Sequence, residues 1–310
     1  MNEETLLKAT GLSRSFNGIN VVKNIDISVR AGEVLGLLGP NGAGKTTTLK
    51  MLTGVIAPDA GEVFICGKSM TQDSTNAKQR IGYLPEDAPL YSELTVNEYL
   101  NFCAKLRRVP DAECIKAVER ARRLCDLNDV GTRLIGNLSK GYKQRIGLAQ
   151  AIIHKPRVLV LDEPTNGLDP NQIRDVRALV RDLAADSQAL IISTHVLSEV
   201  QALCDRVVII HRGQVAHDEL FSAQEAFLTI GFAEPPPSGF FDQLPGILHA
   251  NPVSENNFLV AISDRIIAAE AIVKHCVETN TTMLEMSPGQ NQLEQLFFDI
   301  TCNDHLSIDD

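Results

Sequence analysis

The sequence lacks any apolar run long enough to cross a membrane as a helix, which needs about 18 or more apolar residues. Its apolar runs are short fragments such as those at 158–161 and 207–210. Residues 1–4 are acidic, and no apolar stretch typical of a secretion signal follows them. Hydrophobic residues make up 44% of the chain and charged residues 22%, which excludes wholesale disorder. We therefore expect a globular protein that has no membrane-spanning part of its own.

Cysteines at metal-binding or redox spacing are also missing. The seven cysteines are odd in number and scattered, and no two of them form a C-x-x-C pair. This pattern disfavours both a disulfide framework and a zinc site. A reducing cytoplasm is the simpler expectation.

Basic residues are scarce in the C-terminal part of the chain. Residues 221–310 contain two of them, Arg265 and Lys274, against thirteen acidic residues, which gives a net charge of −11. Residues 1–220 carry a net charge of +1, so the imbalance predicts a domain boundary. It also argues against contact of the C-terminal part with an anionic bilayer or with nucleic acid, and we predict no nucleic-acid partner.

The pattern of the first 220 residues predicts an α/β domain. Apolar runs typical of fully buried strands occur at 34–38, 158–161 and 190–193, and helical patterns separate them. Buried strands that alternate with helices form a mostly parallel sheet. Residues 1–35 instead alternate polar and apolar positions, which predicts short antiparallel strands. Residues 93–127 are helical by pattern, with a break at Pro110-Asp111.

The character of the sequence changes after Gly213. Residues 234–239 contain three prolines and a glycine, so this segment cannot lie inside a helix. Beyond it, the pattern predicts a strand at 257–262, a helix at 265–277, a strand at 282–286 and a final helix. One apolar stripe runs along that final helix, at Leu293, Leu296, Phe297 and Ile300. The stripe either closes the core of a small domain or contacts another subunit.

A glycine-rich loop lies between the first buried strand and a helix predicted from Thr46 to Leu52. Residues 39–46 fit the pattern G-x-x-x-x-G-K-[ST]. Its glycines let successive N–H groups point at a phosphate chain, and the helix N-terminus adds partial positive charge. Lys45 would reach the β- and γ-phosphates of ATP, and the Thr46 hydroxyl would bind Mg²⁺. The expected nucleotide-binding residues of this segment are Gly39, Pro40, Asn41, Gly42, Ala43, Gly44, Lys45, Thr46 and Thr47.

Two carboxylates, Asp162 and Glu163, follow the apolar run at 158–161. As a buried strand, that run would deliver them at its carboxyl end, where ligands bind in open α/β sheets. Asp162 suits a contact to Mg²⁺, and Glu163 suits polarisation of the attacking water. The alternative, a strand that ends in solvated acids, is weakened by the phosphate-binding loop earlier in the chain.

Together these motifs resemble those of an ABC transporter ATPase, over about residues 5–220. Three further segments carry the resemblance: Leu138-Ser139-Lys140-Gly141-Tyr142, Asn166-Gly167-Leu168-Asp169 and Ser193-Thr194-His195. The first is similar to the family signature, Leu-Ser-Gly-Gly-Gln, but has Lys140 and Tyr142 in place of Gly and Gln. The resemblance implies that Ser139 and Gly141 contact the γ-phosphate held by a partner subunit.

The resemblance also assigns roles to two single residues. Phe16 stands where the family stacks an aromatic ring on adenine, although a lone Phe after a strand also suits a core. His195 matches the family's switch histidine, which contacts the γ-phosphate. We therefore expect Glu163 and His195 to be the catalytic residues.

Glu86 departs from the family pattern. It aligns with a loop in which the family places Gln near the metal and the nucleophilic water, so we expect Glu86 to join Thr46 and Asp162 as a metal ligand. The Tyr-Leu-Pro-Glu sequence that ends at Glu86 resembles the exporter branch that includes gliding-motility, copper-site maturation and multidrug-type ATPases.

The resemblance implies a P-loop NTPase nucleotide-binding domain at 1–222, with a parallel core sheet, an antiparallel subsheet and a helical subdomain near 90–150. A small α+β domain at 223–310 would serve regulation or dimerisation. The expected function is hydrolysis of ATP by a homodimer, peripheral on the cytoplasmic face of the membrane, that drives a separately encoded permease in export. A motor domain does not touch the cargo, so the cargo stays open.

Two other functional classes share some of these motifs. ABC proteins that act on ribosomes carry two ATPase halves, whereas this chain has one. Those that act in DNA repair insert coiled coils or zinc modules between the phosphate loop and the signature, and fewer than 100 residues separate these motifs here. A regulator that binds ATP without turnover is disfavoured by the presence of Glu163 and His195.

Overall fold

A computed structural model describes residues 4–220, 226–289 and Phe297. The chain divides into two compact units, Met1–Phe221 and Ser222–Asp310. Of the stripe predicted on the final helix, only Phe297 is described; Leu293, Leu296 and Ile300 lie outside the described residues. In the described ranges, no helix is both long and apolar enough to cross a membrane.

The bounds of the elements are as follows. The strands are β1 (Thr5–Phe16), β2 (Ile19–Arg30), β3 (Val34–Leu38), β4 (Ala60–Ile65), β5 (Lys68–Ser69), β6 (Ile81–Leu84), β7 (Val158–Asp162), β8 (Ala189–Thr194), β9 (Arg206–His211), β10 (Gln214–Leu220), β11 (Ala226–Phe232), β12 (Ile247–Pro252), β13 (Asn257–Ile262) and β14 (Met283–Pro288). The helices are α1 (Lys45–Leu52), α2 (Ser74–Lys78), α3 (Val96–Leu106), α4 (Asp111–Leu124), α5 (Lys140–Ile152), α6 (Pro170–Ala185), α7 (Leu197–Leu203) and α8 (Arg265–Glu278).

The central sheet of the first unit has the strand order β10-β9-β3-β8-β7-β6. Its strands β9, β3, β8, β7 and β6 are parallel, which confirms the predicted parallel core, and β10 is an antiparallel edge. Every residue of β3, β7 and β8 is buried, as continuous apolar runs require. Because these strands are parallel, the segments that leave their carboxyl ends lie along one edge of the sheet.

A second sheet of the first unit has the order β2-β1-β4-β5 and is antiparallel. The prediction of short strands in this region was wrong, since β1 and β2 each contain 12 residues. Register shifts along the β1–β2 pair absorb the breaks in the polar and apolar alternation, so the pairing continues past them. Asn17 and Gly18, both with positive φ, form the two-residue turn of this hairpin.

The helical segment begins at α3, where Thr95 and Glu98 form a capping box. Pro110 caps α4, and its ring cannot continue a helix from the preceding residues. The break predicted at Pro110-Asp111 is therefore present. Helix α5 packs against both α3 and α4 and connects this segment to β6 of the central sheet.

The second unit contains an antiparallel sheet of order β12-β13-β11-β14 and the helix α8. Ile230 and Phe232 of β11, Val260 of β13 and Ile272 of α8 belong to one buried apolar cluster. The strand predicted at 257–262 has the observed bounds of β13, and the predicted helix ends one residue before α8 does.

Candidate nucleotide site

The site begins at the loop between β3 and α1, where backbone segments lie too close together for side chains. A Cβ atom added to Gly39 would lie 2.3 Å from the carbonyl oxygen of Ile210. Gly44 has a φ of 106°, and its Cβ would lie 2.8 Å from the carbonyl oxygen of Val21. Both positions therefore require glycine. Helix α1 starts directly after Gly44, so its free N–H groups face the loop.

Lys45 is held inside this loop. Its Nζ donates hydrogen bonds to the carbonyl oxygens of Gly39, at 2.6 Å, and Pro40, at 3.2 Å. The side chain is buried, and burial lowers the pKa of the Lys45 ammonium, while the charges of Glu163, Asp162 and Glu86 act in the opposite direction. The ammonium thus lies within the field of three carboxylates, at the end of the loop where the sequence predicts the phosphates.

A cavity of about 360 Å³ opens beside the loop. A volume of this size is at the lower end of the range for small-molecule sites. Most of its lining residues were predicted from the sequence, and Val21 and Asn166 were missed. The lining residues are Val21, Asn41, Gly42, Gly44, Lys45, Thr46, Thr47, Glu86, Glu163, Asn166 and His195.

Glu163 and His195 are paired at this cavity. The Nδ1 atom of His195 lies 2.9 Å from Oε1 of Glu163, and half of the histidine side chain is exposed. Burial raises the pKa of the Glu163 carboxyl, and the hydrogen bond from His195 partly offsets that effect. The carboxylate is therefore a stronger base than a solvated glutamate, and the imidazole stays accessible from the cavity.

The backbone of Glu163 is also unusual. Its φ of 48° lies in the left-handed region, which costs a non-glycine residue about 1–3 kcal/mol. The N–H of Glu163 lies 3.2 Å from both the carbonyl oxygen and the Oγ of Ser193. On the other side, the side-chain amide of Gln144 donates to the carbonyl oxygen of Pro164 at 3.3 Å. These contacts hold the turn that directs the carboxylate into the cavity.

Asp162 has the features of a cation ligand. It is fully buried; its Oδ1 accepts a short hydrogen bond from Ser193 Oγ, while Oδ2 has no hydrogen-bond partner among the described residues. Such an orphaned carboxylate oxygen suits Mg²⁺, which prefers oxygen ligands. No group of three His, Cys, Asp or Glu residues in the described ranges could hold a metal alone. Thr46 and phosphate oxygens would therefore have to complete the site, and the residues present fit that arrangement.

The signature residues lie at the start of α5, and they are not among the described residues that line the cavity. Ser139 is the N-cap, and its Oγ accepts a hydrogen bond from the Tyr142 N–H at 3.4 Å. A Cβ on Gly141 would lie 2.5 Å from Oε1 of Gln172, so the signature packs directly on the start of α6. Among the described residues, the signature therefore lies apart from the lining of this cavity.

Phe16 ends β1 and is exposed, with the guanidinium of Arg14 5.0 Å from its ring centre. This residue is not buried in a core, which was the alternative considered for it. It also does not line the cavity as the described residues define it. The role of this exposed ring in stacking on adenine stays a prediction.

Comparison with known proteins places this geometry in one family. Residues 22–166 match the ABC transporter family. The bacitracin transport ATP-binding protein BcrA of Bacillus licheniformis is 32% identical over 298 residues, which are 94% of this chain and 96% of the relative. The Nod factor export ATP-binding protein I of Burkholderia lata is 34% identical over 257 residues, which are 82% of this chain and 84% of that protein.

A solved ATP-binding subunit of an ABC transporter has the same fold, with a TM-score of 0.66 and 31% identity. The match covers 70% of this chain and 90% of that structure. A relative that is more than 30% identical along nearly the whole of both chains shows the family, and the solved subunit has the same fold. The chain therefore belongs to the ABC transporter family as an ATP-binding subunit, and it is an ATPase.

Proposed function

We propose that the chain is the ATP-hydrolysing subunit of an exporter, works as a homodimer and drives a separate membrane permease from the cytoplasmic face of the membrane. The names of two relatives, a bacitracin transport protein and a Nod factor export protein, support export as the direction. The observation that carries the proposal is the single cavity that contains both Lys45 and the Glu163–His195 pair. The cargo is not specified by these residues.

In the reaction, a water molecule attacks the γ-phosphorus of ATP and gives ADP and phosphate. The Glu163 carboxylate polarises the water and accepts its proton, which its raised pKa favours. The N–H at Nδ1 of His195 orients the carboxylate, and the opposite edge of the ring faces the γ-phosphate. Lys45 and the N–H groups at the start of α1 stabilise negative charge on the β- and γ-phosphates.

Mg²⁺ would be held by Thr46, Asp162 and Glu86, and it would neutralise charge on the phosphate oxygens. The orphaned Oδ2 of Asp162 supports this assignment. Glu86 and Thr46 both line the cavity.

The position of the signature supports the proposed homodimer. Ser139 and Gly141 start a helix whose N–H groups suit an anion, yet they do not line the cavity within the described ranges. In a head-to-tail pair, each nucleotide would lie between Lys45 of one copy and Ser139 of the other. Neither copy would then have a complete site alone.

The permease would contact the helical segment beyond Glu86. Tyr91, Phe102 and Leu106 are exposed there, and the rings of Tyr91 and Phe102 are 5.8 Å apart. Exposed apolar clusters of this kind favour protein contacts. Movement of the Glu86 loop during turnover would therefore be transmitted to the permease by the residues that directly follow the loop.

Mixing two inactive variants tests the dimer. Lys45→Ala removes the phosphate contact, and Ser139→Asp keeps a good helix cap but adds a charge that repels phosphate. A mixed dimer has one site with both residues intact, so the mixture should hydrolyse ATP although neither variant does so alone. No recovery in a mixture that forms mixed dimers would exclude the shared site.

The permease contact is tested separately, by ATPase assays with and without the co-purified membrane protein. Phe102→Ser should reduce the stimulated rate and leave the basal rate unchanged. Ile115→Ser is the control, since Ile115 is another exposed apolar residue and lies on α4. Equal effects of the two substitutions, or failure of any membrane protein to co-purify, would contradict this part of the proposal.

A further inference from the structure

Glu199 is a buried carboxylate near the Glu163–His195 pair that takes no part in the chemistry above. It lies in α7, four residues after His195, and is 7% exposed. An ionised carboxylate in such surroundings is unfavourable unless its oxygens accept hydrogen bonds. Its partners therefore indicate what it stabilises.

Each oxygen of Glu199 accepts a hydrogen bond from a buried threonine hydroxyl. Thr165 donates to Oε1 in a short contact, and Thr194 donates to Oε2 at 2.9 Å. Thr165 is two residues after Glu163, and Thr194 directly precedes His195. The carboxylate therefore joins the turn that carries Glu163 to the strand end that carries His195.

The donors in this network have fixed directions. A carboxylate only accepts hydrogen bonds, so both threonine hydroxyls must donate to Glu199. The Thr194 oxygen then has a lone pair for the N–H of Val196, at 3.0 Å. Thr194 and Val196 are the two neighbours of His195, so the network fixes the backbone on both sides of the histidine.

We propose that Glu199 is a positioning residue that keeps Glu163 and His195 at hydrogen-bonding distance. The proposal rests on the catalytic roles proposed above for that pair. Glu199 adds a buried side-chain link between two segments that leave different strands, which helps to keep their 2.9 Å contact at the cavity. Glu199 does not touch the nucleotide, so its removal affects geometry rather than binding.

The test compares kcat, ATP affinity and unfolding in urea for four variants. Glu199→Ala and Thr165→Val each break the link, and both should lower kcat by about 10–100-fold, as small misplacements of catalytic groups do. Thr165→Ser keeps the hydroxyl and should retain most of the activity. The double variant Glu199→Ala/Thr165→Val should be no slower than Glu199→Ala alone, because both changes remove the same connection. Nucleotide affinity should stay within about threefold, since binding lies with Lys45 and its loop.

Ser198→Ala, an exposed change on the same helix, is the control for effects on α7 itself. A role limited to folding would lower the urea midpoint while the folded fraction kept its normal kcat, and this result would overturn the proposal. Glu163→Gln distinguishes the positioning role of Glu199 from the catalytic role of Glu163. If that variant is inactive and Glu199→Ala has normal kcat, the positioning role is wrong while the catalytic assignment stands. If both retain normal kcat, the proposed function of the pair is also wrong.

Discussion

The imidazole of His195 meets the carboxylate of Glu163 at 2.9 Å, although 32 residues separate them in the chain. The contact arises because β7 and β8 are adjacent parallel strands, with Asp162 of β7 opposite Ser193 of β8. Each residue follows its strand end, so both emerge at the same edge of the sheet. The topology alone brings the two side chains together, and Glu199 then fixes their separation.

Glu86 is expected to tolerate loss of its charge. Either Glu or Gln offers an oxygen toward Mg²⁺ or its water, so Glu86→Gln should change the basal ATPase rate only several-fold. Glu86→Ala should reduce coupling to the permease more than basal hydrolysis, because this loop connects the cavity to the helical segment. Basal and permease-stimulated ATPase assays measure both effects.

Asp87→Asn is the matched control for Glu86, since Asp87 is the next residue, is exposed and does not line the cavity among the described residues. It should behave as the unmodified chain. If Glu86→Gln instead abolished turnover as completely as Glu163→Gln, Glu86 would be a catalytic acid or base and our assignment would be wrong.

Much of the nucleotide site could be predicted because its residues are tied to local sequence. A buried strand between turns predicts β3 with its observed bounds, and the pattern of glycines after it predicts the loop and Lys45. Val21 was missed, because its place in the cavity depends on how β2 packs against that loop. No local pattern in the sequence records such a contact.

The burial of Glu199 is a second feature that could not be predicted from the sequence. A glutamate in the first turn of a short helix normally reads as a solvated residue, since charged side chains favour the surface. Its burial results from the packing of α7 on β3 and β8, which brings Thr165 and Thr194 to it. Strand β10 was missed for the opposite reason: it is an edge strand with mostly exposed residues, so its sequence has no apolar run.

Because His154 is buried with a lowered pKa, we expect the folded chain to lose stability in acid. Burial, with the charge of Arg107, lowers the pKa of His154 to about 4 from 6.5. Its Nε2 donates to the Ile81 carbonyl oxygen at 3.1 Å, while its buried Nδ1 has no hydrogen-bond partner among the described residues. Between pH 4 and pH 6.5, the folded chain therefore binds fewer protons than the unfolded chain. Stability should be intact above pH 6.5 and fall by about 3 kcal/mol in total as the pH approaches 4.

Urea unfolding at pH 7.5 and pH 5 measures this effect. His154→Gln cannot titrate, and its side-chain amide still offers a donor, so its stability should depend less on pH than that of the unmodified chain. His249→Gln, which replaces an exposed histidine of β12, is the control substitution. Equal pH dependence in all three proteins would show that His154 does not carry the effect.

The second unit is expected to regulate or stabilise the dimer rather than bind nucleotide. Every described residue that lines the cavity belongs to Met1–Phe221, and the second unit has its own apolar cluster. A chain cut after residue 222 should therefore bind ATP with normal affinity. It should also show weaker dimerisation or altered permease-stimulated turnover.

The role of the second unit is tested by measuring the folding of the cut chain by circular dichroism, its nucleotide affinity and its dimer fraction. A folded truncated protein that no longer bound ATP would place part of the site in the second unit. Unchanged affinity, dimer fraction and stimulated turnover together would leave that unit without the proposed role.

The most direct measurement is the behaviour of Glu163→Gln, with Glu119→Gln on the exposed surface of α4 as its control. The amide has nearly the same shape and still accepts the hydrogen bond from His195, but it cannot take a proton from water. Turnover should fall by about 10²–10⁴-fold while ATP affinity is retained. Sizing should then reveal a dimer that forms only with MgATP. Near-normal turnover, or a monomer both with and without MgATP, would contradict the account.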